Sequence, residues 1–80
     1  MRVVLELPLE VYHLCLPRFP LNSREYRAVA NGVIARNEAG DEVIQILCET
    51  RMAQAIRKLF ADLCPEALDK LRELPEKTRP

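Results

Sequence analysis

VIQILCE, residues 43–49, is the stretch whose reading decides the fold. A valine, two isoleucines, the short length and the Gly40–Asp41 turn signal ahead of it favour a buried strand. A helix competes, because Ile44, Leu47, Cys48 and Met52 fall at three-four spacing and Asp41 could cap it. Periodicity alone does not separate the two over so short an apolar run. The strand is preferred because Thr50 then takes the cap position of the element that follows.

That element is the clearest in the chain. Met52, Ala55, Ile56, Leu59, Phe60, Leu63 and Cys64 form one stripe at helical spacing, with Arg51, Gln54, Arg57, Lys58 and Asp62 opposite, which predicts a helix over 51–64. Pro65 ends it by steric conflict with a helical Cys64 and is pre-shaped to open a second helix, 66–74. There Leu68, Leu71 and Leu74 align, Glu66 precedes Lys70 in the favourable order for an ion pair, and Pro75 closes the segment.

Upstream, RVVLEL at 2–7 alternates, with Val3, Leu5 and Leu7 on one side and Arg2, Val4 and Glu6 on the other, as in a half-buried strand. Pro8 opens a helix over 9–16 that buries Val11, Tyr12, Cys15 and Leu16, and the prolines at 17 and 20 enforce a loop. Asn22 or Ser23 starts a helix over 23–31, and Asn22 with Glu25 has capping-box spacing. Asn31–Gly32 ends it, with Gly32 in the left-handed conformation, and 33–37 becomes a strand turning through 38–40 into 43–49. The competing reading carries the helix on to Arg36 and tolerates the glycine at a cost of about 1 kcal/mol.

The expected fold is α+β over 1–75. A small, three-stranded, mainly antiparallel sheet (2–7, 33–37, 43–49) has helices packed on one face, and a polar tail follows at 76–80. An all-α chain is the alternative, should 43–49 be helical. A chain of 80 residues buries only about 60–65% of its unfolded surface, so its margin is thin, and with no tryptophan its core is aliphatic. Self-association or docking on a partner would supply missing burial.

The net charge is zero but unevenly spread. Arg18, Arg24, Arg27 and Arg36 share one segment, and Glu38, Asp41, Glu42 and Glu49 follow without a basic residue among them. Solvated faces of opposite sign account for such alternation; a basic surface for an acidic partner is the functional reading. Three cysteines without close pairs argue against a disulfide framework, no leader or membrane-spanning run is read, and a reducing, cytoplasmic location is the expectation for a small soluble domain.

Chemistry finds little purchase. His13 and Cys15 are two apart and do not face each other on a helix, and Cys15, Cys48 and Cys64 all sit in apolar patterns that read as packing. Zinc sites use pairs two to four residues apart, which the cysteines do not offer. Two glycines cannot make a phosphate-cradling loop, and no interleaving of basic and aromatic residues points to single-stranded nucleic acid. The expectation is therefore no enzyme, no cofactor and no metal, with a thiol or metal function of His13 and the cysteines as the remote alternative.

The run V-x-L-E-L-P-x-E-V-Y from Val3 to Tyr12, followed by a capped helix containing Tyr26, Val29 and Val33, resembles the opening of ribbon-helix-helix repressors over residues 2–34. The resemblance implies a dimer whose paired N-terminal strands enter the DNA major groove, with Arg2, Val4 and Glu6 toward the bases and backbone N–H groups near Ser23 on phosphate. Pro17, Pro20 and the whole of 41–74 depart from that pattern. The main reading is a non-catalytic protein-interaction module, a small accessory or regulatory subunit. Val4 and Tyr12 are its candidate apolar anchors, Arg24, Arg27 and Arg36 its candidate basic contacts, and the outer sheet face or an edge strand its contact surface.

Overall fold

The computed structural model describes residues 1–78. Its elements are β1 (Arg2–Pro8), α1 (Leu9–Cys15), α2 (Arg24–Ala30), β2 (Val33–Arg36), β3 (Glu42–Glu49), α3 (Thr50–Leu63) and β4 (Arg72–Pro75). Short 3-10 turns lie at Leu16–Arg18, Pro65–Lys70 and Glu76–Thr78. The strands form one four-stranded sheet in the order β2-β3-β1-β4, and every neighbouring pair is antiparallel. With α1 and α2 together filling the first crossover, this is the β-α-β-β-α-β order of the ferredoxin-like, split-βαβ arrangement.

Residues 43–49 are extended, as expected, and are buried almost without interruption because neighbouring side chains cover both faces of the strand while successive side chains alternate between them. Ile44, Ile46 and Cys48 join the helix-side core, while Val43, Gln45 and Leu47 point the other way. β3 has β1 along one side and β2 on the other, where the pairing covers Glu42 to Gln45. The β1–β3 register runs from Arg2↔Glu49 to Pro8↔Val43 without a bulge.

The helix expected over 66–74 does not form. Pro65–Lys70 is a 3-10 turn, and the chain then straightens into β4, which pairs with β1 through Val3↔Pro75 to Glu6↔Arg72. A segment this short between two prolines is a poor α-helix by itself, and without β4 the second edge of the apolar β1 would lie bare. The sheet therefore has four strands, not three. Glu66 does not meet Lys70 either; it accepts from Arg18 Nη1 at 3.0 Å. Of the expected tail, 76–78 make a turn tied to β1 by the Arg2–Glu76 ion pair, and 79–80 lie outside the described residues.

The core is one cluster between the sheet and the three helices, built from Leu5, Leu7, Ile44 and Ile46 below and Phe19, Val29, Ala53, Ile56 and Phe60 above. Phe19 and Phe60 meet edge to face, with ring centroids 5.0 Å apart. Ser23 is the cap of α2, its hydroxyl oxygen accepting from the Tyr26 N–H at 3.0 Å, in place of the Asn22–Glu25 box. Thr50 is inside α3 and does not cap it; its hydroxyl donates to the Met1 carbonyl. Gly32 is not left-handed, unlike Gly40 of the hairpin turn at φ +85°. It is small because a Cβ there would sit 2.8 Å from Ile44 Cγ1, where α2 turns down onto the sheet. No helix among the described residues is long and apolar enough to cross a membrane.

The reading of all three cysteines as free is overturned. Cys15, at the end of α1, and Cys64, just past α3, are disulfide-bonded across a sequence separation of 49, and only Cys48 is free. Two helix ends meeting over the core bring them together, which residue spacing does not encode. The expectation of a reducing compartment loses the support it took from unpaired cysteines. Closing a loop of this length removes unfolded-state entropy worth roughly 4 kcal/mol. Urea unfolding of the oxidised protein against Cys15→Ser/Cys64→Ser should show a loss of about 2–4 kcal/mol with the native circular-dichroism spectrum retained; identical midpoints would contradict the bridge's role.

Candidate functional site

The sheet face away from the helices carries the irregularities of this chain. The β1–β3 and β1–β4 registers place Val4 between Leu47 and Leu74 in one row and Glu6 between Gln45 and Arg72 in the next. Val33 lies opposite Gln45 and closes the second row at β2. An apolar row thus runs beside a polar one across the sheet.

Glu6 is only 5% exposed and Gln45 only 4%, although no helix covers them. Gln45 Nε2 donates to Glu6 Oε2 at 3.0 Å, and Arg72 Nη1 stands 3.6 Å from Glu6 Oε1. That second separation is an ion pair beyond hydrogen-bond range, and the Arg72 side chain is largely in water. Gln45 Oε1 is buried without a partner. A polar pair in the middle of two central strands, one end of it unsatisfied, costs stability that two aliphatic side chains would not.

Above this row lies a half-open groove of about 610 Å³. Glu6, Gln45, Arg72 and Leu74 line it from the sheet, and residues 36–39 of the β2–β3 hairpin line it from the turn. Arg36 is held there by its Nη1 donating to the Gly40 carbonyl, and Asn37 Oδ1 accepts from the Asp41 N–H, so the turn is internally braced. The volume falls within the range of small-ligand sites.

The residues singled out in the sequence fare differently. Val4 is on the outer face as expected, but its exposure is 0% because Leu47 and Leu74 flank it, so it is no free anchor. Tyr12 is buried too, with its hydroxyl donating to the Val29 carbonyl at 3.0 Å and burial pushing its pKa up, so it braces α1 against α2. Arg24 and Arg27 are exposed on α2, three apart and hence on one side of it, and Arg36 is exposed at the end of β2. His13 is exposed, while Cys15 is locked in the disulfide, so the two do not form a nucleophile and base. Cys48 is buried, and burial first, then Glu73 and Glu49, push its thiol pKa up, the opposite of an activated nucleophile. No group of three ligating side chains suited to a metal ion occurs among the described residues.

Sequence reasoning placed Glu6 on a solvated face and gave Gln45 no role. The available signal was a glutamate sharing its outward face with Val4, and a glutamine inside the apolar run 43–49: each breaks the pattern of its strand, and the two strands pair. β1 has a neighbour on each edge, β3 on one and β4 on the other. The outer-face positions are Arg2, Val4, Glu6 and Pro8 on β1 and Val43, Gln45, Leu47 and Glu49 on β3. Comparison with protein-family models, with curated proteins and with solved structures finds no match.

The polar pair is separable from stability. Gln45→Leu alone strands the Glu6 carboxylate and should cost about 1–3 kcal/mol, whereas Glu6→Leu/Gln45→Leu should match or exceed the native stability. Urea unfolding of both variants checks this. A double variant as unstable as the single would show that the pair supports the fold itself.

Proposed function

We propose that the chain is a non-catalytic protein-interaction module that engages an extended segment of its partner along the outer edge of β2. The observation that carries this reading is the exposure of two large apolar side chains on an edge strand, Val33 at 41% and Ile34 at 58%. An outer edge presents unpaired backbone N–H and C=O groups, and natural edges are usually guarded by proline or charge. β4, the opposite edge, contains Pro75 and carries Arg72 and Glu73. β2 has a charge only at its end, Arg36. Adding a strand there gives affinity through the main chain and specificity through side-chain pockets.

Charge supports the choice of partner. Arg24 and Arg27 stand on the helix that leads directly into β2, and Arg36 closes the strand. An extended segment with acidic residues beside its apolar ones complements this surface. The module needs no active site for such a role, and its small core gains burial from the partner.

Capture from extracts of the native host compares the wild type with Ile34→Lys, with Arg24→Glu/Arg27→Glu, and with Lys58→Glu on α3 as control. The partner should be retained by the control and lost by both test variants, which should remain folded by circular dichroism. Light scattering in which Ile34→Lys splits a dimer identifies the partner as a second copy. A partner retained by Ile34→Lys contradicts the β2 edge as the docking site.

A further inference from the structure

We propose that the groove on the helix-free sheet face is a binding site for a free α-amino acid, with Glu6 and Gln45 receiving its ammonium and Arg72 its carboxylate. The proposal goes beyond the interaction module and uses the helix-free sheet face rather than the β2 edge, with Arg36 standing where the two meet.

Three observations converge on it. Glu6 places a carboxylate, 5% exposed, in the floor of a groove of about 610 Å³. Its neighbour Gln45, 4% exposed and lining the same groove, keeps Oε1 without a donor because its Nε2 is committed to Glu6. Beside them Arg72 is held at 3.6 Å from Glu6 Oε1, outside hydrogen-bond range, and its guanidinium is largely exposed. The floor therefore presents one acceptor without a donor, Gln45 Oε1, beside the Glu6 carboxylate and next to a forked, solvated donor that a ligand carboxylate can engage.

These needs define the ligand. It must carry an N–H-bearing cation and an anionic pair of oxygens a bond or two apart. A guanidinium binds a carboxylate through two parallel hydrogen bonds, and an ammonium offers three donors, enough for both Glu6 and Gln45. A free amino acid joins the two groups through one carbon. A small shift of the Gln45 side chain that keeps Nε2 on Glu6 lets the ammonium donate to Oε1 as well, which gives the buried acceptor its partner. Leu74 and Ala39 give an apolar wall for the side chain, while Arg36 and Glu38 stand at the hairpin with opposite charges. A simple cation would leave Arg72 unused, and a simple anion would meet the Glu6 carboxylate. The zwitterion satisfies both ends and adds no net charge to the groove.

The test is isothermal titration of the full chain with a panel of L-amino acids, together with the N-acetyl derivative and the decarboxylated amine of whichever binds best. Saturable binding should appear for at least one amino acid. It should weaken tenfold or more in both derivatives, and tenfold or more in Arg72→Ala and Glu6→Gln, in line with loss of a charge-assisted hydrogen bond. Amide chemical-shift changes should centre on Glu6, Gln45, Arg72 and Leu74. Arg72 is exposed, so its alanine variant keeps the fold and the test holds even where Glu6→Gln is unstable. Absence of binding across the panel, equal binding of the acetylated or decarboxylated compound, or undiminished binding to Arg72→Ala would each overturn the proposal. None of these outcomes bears on partner capture through Ile34.

Discussion

Everything in this fold depends on the antiparallel pairing of β1 with β3 along the whole of β1. The two strands are the central pair of the sheet, and their alternation sorts side chains to opposite faces. Leu5, Leu7, Ile44 and Ile46 go under the helices, while Val4, Glu6, Val43 and Gln45 go to the outer face. With β3 seated on the core, a slip of β1 by one residue would turn Glu6 into the apolar core and Leu5 and Leu7 out of it, at a cost of several kcal/mol for an uncompensated buried charge. The register is therefore fixed by the core, and the polar row on the outer face comes with it.

Much of this was legible in the chain. The period of two in 2–7 and the β-branched residues of 43–49 identified the central strands, and the stripe from Met52 to Leu63 identified the long helix. What failed was decided at long range. Leu68, Leu71 and Leu74 are spaced for a helix, yet Leu71 ends up in the core and Leu74 beside Val4, because β1 offers an open edge some 70 residues back along the chain. The Cys15–Cys64 bridge likewise depends on where two helices end. Neither fact leaves a mark at short spacing.

The site was half legible for a similar reason. The basic residues of 24–36 are exposed where the sequence placed them, and the sheet edge was named as a contact surface. Val4 faces outward in the alternation of 2–7 but is covered by its cross-strand neighbours. Tyr12, on the buried side of the first helix as its spacing predicts, is taken up by the α1–α2 packing, so neither is free to anchor a partner. Glu6 and Gln45 each look ordinary alone. They become informative only as a pair, and the pairing joins residues 39 apart. Local rules are broken twice at one spot, on a face with nothing over it, which is where function is to be sought in a small domain that has little stability to spare.

The most direct test of the account is an NMR measurement of strand register in the native chain. Cross-strand proton contacts should connect Val4 with both Leu47 and Leu74, and Glu6 with both Gln45 and Arg72. Helical contacts three and four residues apart should run through 50–63 and be absent from 72–75. A continuous helical pattern over 66–74, or a β1–β3 register shifted by one residue, would contradict it.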